Sequence, residues 1–460
     1  MSTLYWKNIF KLPEFKQYFS NTEIIQLSTA CKYFRTSLNS TILKNFNFNL
    51  YIKENCYSSC LISEEVDNYQ NNIYRLINIY KPLNDDLLES KNRFKSELYM
   101  TGYYSDRIIL NYTNDYYYLF SEIPSLFKNL RSLVITRNII MLDTLKYLLD
   151  NLNCLEDLEL IDNKLYKHDQ DLNGNSINWP TTLKKLKIGS NIIGHVSEGG
   201  DSIVLCPSAQ PNGDFTRLRL LPVNIPNLVS LYYRSSFYDD DNDDDDDEDD
   251  EYNCNELIEF LNVNHNIVKL YIGDSAINLA LINTIYSLQN LMHLELPSIE
   301  RFLFSYMEYF NSPAHANLRS LKLTLYEDLH FLGILATQFP NLAYLTLGTM
   351  QLQSNNLLAK VSKFQKLKNF KLHVYLTMTE GHELNFESFL NLKSFELISD
   401  SKSFYESIKW KLPSCSKLRL IKFSLFENYD EFNTPKLIPE LKENWKLVYF
   451  THKLSYYKIN

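Results

Sequence analysis

Apolar residues recur along this chain in one short phrase, L-x-x-L-x-L, at residues 130–135, 155–160 and 183–188. With isoleucine or aromatic substitutions the phrase returns, starting at Leu228, Ile267, Leu291, Leu318, Leu342, Leu367, Leu392 and Leu418. Successive starts lie 25, 28, 45, 39, 24, 27, 24, 25, 25 and 26 residues apart. Most units follow directly on Asn, Cys or Lys, often as Asn-Leu. The last four positions alternate with period two, which predicts a short strand with its fourth and sixth residues on one face. Between phrases the period changes. Leu142, Leu145, Leu148, Leu149 and Leu152 fall on one stripe at spacings of three and four, which predicts a helix over 141–152. Residues 328–339 and 356–364 read the same way, and 66–80 and 87–100 also look helical.

Repeats of roughly 20–29 residues built on this phrase are the mark of leucine-rich repeats, and residues 126–455 resemble that family. Eight of the ten spacings fall in its range, and the two long ones hold insertions near 194–213 and 237–253. A solenoid tolerates these because each repeat touches only its neighbours. The first three phrases extend to L-x-x-L-x-L-x-x-N, ending at Asn138, Asn163 and Asn191. In this family that asparagine turns the chain and bonds backbone groups that would otherwise lack partners. Later units place Ser236, Ser275, Ile299 or Tyr326 there, so the array is similar to the irregular, ribonuclease-inhibitor-like subclass. The expected fold is α/β: a curved solenoid with parallel strands on the concave face and helices on the convex face. Residues 46–125 read as a helical bridge with atypical first repeats around 108–110.

Residues 1–45 fall outside the repeat. Leu12-Pro13 suits a helix start. Ser20-Asn21-Thr22-Glu23 has the form of a capping box, and Ile24, Leu27, Cys31, Phe34 and Leu38 then recur on one helical face. The segment resembles an F-box through Leu12-Pro13, Ile24-Ile25-Gln26-Leu27 and Cys31-Lys32-Tyr33-Phe34-Arg35. The tryptophan often found at the position of Phe34 is replaced by another aromatic. The resemblance implies a small all-helical module ahead of the solenoid. It further implies a substrate receptor of a cullin-RING ubiquitin ligase, with Leu12, Pro13, Phe15, Ile24, Leu27, Cys31 and Phe34 docking a Skp-type adaptor while the repeats hold a protein target. A second reading stays open, in which this segment caps the solenoid of a scaffold with no ubiquitin role.

Charge and chemistry narrow the picture. The formal net charge of −9 comes from residues 239–251, where 12 acidic side chains are broken only by Asn242; the other 43 acidic residues face 46 basic ones. No global basic field of the kind nucleic acid needs remains, and a block of like charge reads as a solvated insertion. Seven scattered cysteines fit no disulfide framework, and Cys56 and Cys60 have no partner pair for zinc. They read as buried thiols in a reducing compartment. No secretory signal or ~18-residue apolar span stands out, so a cytosolic or nuclear protein is expected. His382-Glu383 lacks the second histidine of a zinc-protease helix, and phosphate-binding loops and nucleophile elbows are absent. His293 and His373 read as ordinary surface residues on strands. No catalytic, cofactor or metal site is expected.

If the fourth and sixth residues point inward, the fifth faces the target. Those positions include Glu159, Lys187, Tyr232, Tyr271, Glu295, Lys322, Thr346, Lys371, Glu396 and Lys422. Tyrosine is a frequent anchor at interfaces, which centres the expected target site on Tyr232, Tyr271, Glu295 and Lys322.

Overall fold

The computed structural model describes residues 44–59, 61–63, 74–77, 83–99, 101–168, 177–196, 202–205, 216–234, 254–273, 277–299, 314–325, 330–351, 354–376, 383–399, 408–411, 417–425, 444–450 and 453–459. The adaptor-docking expectations at Leu12, Pro13, Phe15, Ile24, Leu27, Cys31 and Phe34 lie outside these residues, as does the acidic insertion. The chain divides into two compact units, Met1–Leu228 and Val229–Asn460.

In the first unit five parallel strands stand in the order Asn45–Asn47, Arg107–Asn111, Ser132–Thr136, Asp157–Ile161 and Lys185–Gly189. The register never shifts from Ile108 to Leu133, Leu158 and Leu186. Equal phrase positions therefore form straight rows. The first, fourth and sixth residues of each phrase here are buried, so each strand contributes its apolar side chains to a continuous core. The atypical repeat expected around 108–110 belongs to the same array: Ile108 and Leu110 are fully buried on its strand, and Tyr117, Tyr118 and Phe120 are buried in the 3-10 helix Asn114–Glu122.

The last four of these strands end in the same way. Tyr112, Arg137, Asp162 and Ser190 take positive φ, between 52 and 56°, a conformation that costs a non-glycine residue about 1 kcal/mol. The next residue in each case is Thr113, Asn138, Asn163 or Asn191, all buried. Asn138 accepts from the Thr113 backbone N–H and hydroxyl, both at 2.7 Å. Asn163 accepts from the Asn138 N–H at 3.0 Å, and Asn191 accepts from the Asn163 N–H at 3.1 Å. The amide nitrogens of Asn138, Asn163 and Asn191 donate back to the carbonyls of Leu110, Ile135 and Leu160. The result is one ladder of buried amides running across four repeats, with Thr113 as its first rung.

Because these turns are superposed, the chain leaves each in the same direction. The outgoing segments Ile139–Met141, Lys164–His168 and Ile192–Val196 pair as a second parallel sheet, joined antiparallel by Thr216–Arg217. The outer side of this unit thus carries a short sheet beside the expected helix, which follows as Leu142–Asn151. Two further expectations change. Residues 74–77 are a strand, not part of a helix over 66–80, because Tyr74–Ile77 pairs with Leu61–Ser63 and with Ser202–Leu205 from the first insertion. Cys56 and Cys154 are exposed thiols, and only Cys254 of the three described free cysteines is buried. The helix expected near 87–100 is Asp85–Leu98, capped by Asn84 and held against the array by Lys91 and Lys95 on Glu122.

The second unit continues the phrase but solves the strand end differently. Eight parallel strands run from Ser230–Arg234 through Lys269–Ile272, His293–Ile299, Ser320–Leu325, Tyr344–Gln351, Asn369–Leu376 and Ser394–Ser399 to Leu420–Leu425. Their first, fourth and sixth phrase residues are buried except Leu296, which is half-buried. Several strands run on past the sixth position. The eighth residue, which is left-handed in the first unit, is here a buried side chain on the continuing strand: Leu325, Thr349, Val374, Ser399 and Leu425. Backbone pairing then satisfies the groups that the asparagines satisfy elsewhere. Outer helices Asn255–Val263, Leu279–Ser287, His330–Gln338 and Ser354–Val361 give way in the later repeats to a pair of short parallel strands, Glu383–Asn385 and Lys409–Lys411. The last parallel strand is covered by an antiparallel hairpin of Trp445–Phe450 and Lys453–Lys458, which closes the edge of the sheet at that strand.

Asn163 sits in the middle of the amide ladder, so removing its side chain strands a buried N–H on Asn138 and a buried carbonyl on Ile135. We expect Asn163→Ala to lose about 3 kcal/mol in urea unfolding, from the summed cost of unmet buried groups. A loss below about 1 kcal/mol would show that the ladder is replaceable by water.

Candidate functional site

The second unit brings the four expected target residues together. Tyr232 pairs in register with Tyr271, Tyr271 with Glu295, and Glu295 with Lys322. Parallel pairing continues the row through Thr346, Lys371, Glu396 and Lys422. Adjacent strands stand ~4.8 Å apart, so four neighbouring residues span roughly 15 Å. All eight side chains are half-buried or exposed, whereas the fourth and sixth residues flanking them are buried apart from the half-buried Leu296. The period-two argument therefore holds at each of these strands. Glu159 and Lys187 occupy the equivalent row of the first unit and form an ion pair at 3.1 Å.

Within the row, Glu295 and Lys322 form an ion pair on neighbouring strands. Glu396 accepts a hydrogen bond from the Ser424 hydroxyl at 3.3 Å. The face thus grades from two tyrosines, through a compensated charge pair, to an alternation of lysine and glutamate. Such a surface offers an aromatic contact beside a polar one, the combination common at protein interfaces.

Sequence reasoning passed over the neighbouring row. Thr324, Gly348, His373, Ile398 and Ser424 are in register at the seventh position. His373 is half-buried rather than an ordinary surface residue. Burial, with Lys371 and Lys322 nearby, lowers its pKa to about 4 against the opposing pull of Glu396. Tyr375, two residues on, remains exposed, with its ring centroid 6.4 Å from that of His373. Gly348 makes room for it: a Cβ there would stand 3.0 Å from the Tyr375 ring and 2.8 Å from the Thr324 hydroxyl. The signal for these residues was present, since the alternation in Leu367–Tyr375 extends beyond the phrase. It becomes readable only once the strand is seen to continue.

Among the described residues no group of three or more His, Cys, Asp or Glu could hold a metal ion. None of their helices is long and apolar enough to cross a membrane.

No family model matches this chain, and no curated protein matches it by sequence. Among solved structures it is similar to an internalin from Listeria monocytogenes, at 16% identity over 67% of this chain and 77% of that one, with a TM-score of 0.30. It is also similar to the mouse RP105/MD-1 complex, at 12% identity over 66% of this chain and 44% of that one, TM-score 0.29. The TLR13–ssRNA13 complex gives 14% identity over 71% and 50%, TM-score 0.30. These neighbours are leucine-rich-repeat proteins. For this chain the α/β repeat fold is defined by its own register, burial and asparagine ladder.

Because His373 is held neutral in the folded state, its titration has a definite sign. Its stabilising contribution is complete above the unfolded value near 6.5 and is lost as the pH falls toward about 4. The ring signal followed by NMR should titrate near 4, and His373→Gln should remove this part of the acid-induced loss of stability. A midpoint at an ordinary histidine value would place the ring in water.

Proposed function

We propose that this chain is a non-catalytic leucine-rich-repeat scaffold that binds a protein target on the outward face of its second unit. The observation that carries this reading is the in-register row of Tyr232, Tyr271, Glu295 and Lys322. Its tyrosines supply area at little entropic cost, and its ion pair supplies register. On this reading the chain performs no reaction itself and works by presenting its target to something else.

The N-terminal segment suggests what that is. The F-box resemblance of Leu12-Pro13, Ile24, Leu27, Cys31 and Phe34 supports a role as the substrate-recognition subunit of a cullin-RING ubiquitin ligase, docked to a Skp-type adaptor in the cytosol or nucleus. If the segment is instead an end cap, the chain is a scaffold without a ubiquitin role.

Two measurements separate these levels. Purified Skp adaptor should be retained by the intact chain and lost with Leu12→Ala/Pro13→Ala, provided the variant keeps its melting transition; no retention by the intact chain removes the ligase reading and leaves the scaffold. Proteins captured from a lysate and quantified by mass spectrometry should include a set that falls about tenfold with Tyr232→Ala/Tyr271→Ala, as for central aromatic anchors. Capture unchanged by that pair of substitutions would sink the assignment of the target face.

A further inference from the structure

A third row lies at the start of each strand, one residue after the first residue of the phrase. In the second unit it reads Val229, Val268, Met292, Arg319, Ala343, Lys368, Lys393, Arg419. Backbone bonds hold these residues in line, each N–H donating to the carbonyl of the one before: Val268 to Val229, Met292 to Val268, Arg319 to Met292, and so on to Arg419 on Lys393. The row is apolar at one end, where Val229 and Met292 are each 40% exposed. It is cationic at the other, where Lys368, Lys393 and Arg419 are exposed on adjacent strands.

Three like charges in line, ~4.8 Å apart, repel one another unless something neutralises them. The first unit does so within the row. There the same position reads Arg131, Glu156, Lys184, and the central carboxylate lies 3.4 Å from Arg131 and 2.9 Å from Lys184. Beside it Lys185 pairs with Asp157 and Lys187 with Glu159. In the second unit no acidic side chain among the described residues pairs with Lys368, Lys393 or Arg419. Lys366 and Lys417, two residues before Lys368 and Arg419, add further cations; each donates to a neutral asparagine, Asn341 and Asn391 respectively. The local excess of positive charge is thus built into three consecutive repeats of a chain whose formal net charge is −9.

We propose that this row is a docking strip for an acidic segment of a partner protein, carboxylates on Lys368, Lys393 and Arg419 and apolar side chains toward Met292 and Val229. The charge is complementary to carboxylates, and the three cations span only about 10 Å. That length suits three or four residues of a peptide. It is short for nucleic acid, whose affinity accumulates over many phosphate contacts. The strip is a different row from the one holding Tyr232 and Tyr271, so its success or failure leaves the proposed target face untouched.

The test is fluorescence anisotropy on the full chain with a labelled synthetic peptide of four glutamates followed by leucines and a phenylalanine. The peptide should bind with an affinity that falls with added salt. Lys368→Glu/Lys393→Glu/Arg419→Glu should weaken it at least about tenfold, and the milder triple glutamine variant should weaken it less. Met292→Ser should reduce binding of this peptide but not of a plain glutamate peptide. Lys184→Glu/Lys185→Glu/Lys187→Glu, the same charge change in the first unit, should leave binding unchanged. Equal loss in both triple variants would reduce the effect to net charge and overturn the proposal. So would no binding by the intact chain, or an oligouridine RNA that binds at the strip and displaces the peptide at lower concentration. Thermal melts of each variant exclude loss of fold as the cause.

Discussion

Each repeat of this chain has an apolar strand face that it cannot bury alone. Three side chains per phrase, such as Leu158 and Leu160 with Leu155 before them, are removed from water only because equal residues stand beside them in the next repeat. Burial of this kind contributes roughly 1.5–3 kcal/mol per large aliphatic side chain, and here it is available only when the register is unshifted. A slip by one residue would turn the buried row out to water. Register therefore governs everything else, including which residues share the outer rows.

Holding that register leaves one problem, the backbone groups at the end of each strand. The two units answer it differently. In the first, a left-handed residue breaks the strand and a buried amide takes over, from Thr113 through Asn138 and Asn163 to Asn191. The strain of four left-handed residues is offset by hydrogen bonds that link each repeat to the next. In the second, the eighth residue is one that gains from burial, such as Leu325 or Val374, and the strand runs on. The longer strands widen the sheet and bring His373 and Tyr375 onto its outward side. Surface chemistry is thus a consequence of how the backbone is satisfied.

The same register turns single residues into rows. Glu156 neutralises Arg131 and Lys184 because parallel pairing places all three in line. The identical geometry puts Lys368, Lys393 and Arg419 in line with no acid between them. In a parallel sheet of repeats, a residue's electrostatic neighbours lie about 25 residues away in the chain, at the same phrase position.

Periodicity in the chain was enough to locate the strands of the repeated phrase, their buried leucines, the asparagine turns and the fifth-position row of Tyr232, Tyr271, Glu295 and Lys322. Each follows from a local pattern with period two read at a constant phase. The helix over 142–151 was legible for the same reason, since its leucines repeat at three and four. Pairings between distant segments were not. The strand Tyr74–Ile77 exists through partners at 61–63 and 202–205, and the second sheet exists because the asparagine turns superpose. Thr113 was hidden because a threonine in that place looks like any loop threonine until Asn138 is set beside it. The half-buried state of His373 depended likewise on its strand continuing past the phrase. Local pattern specifies which side chains seek burial; which backbone groups find partners is settled by segments far apart in the chain, and only packing brings those together.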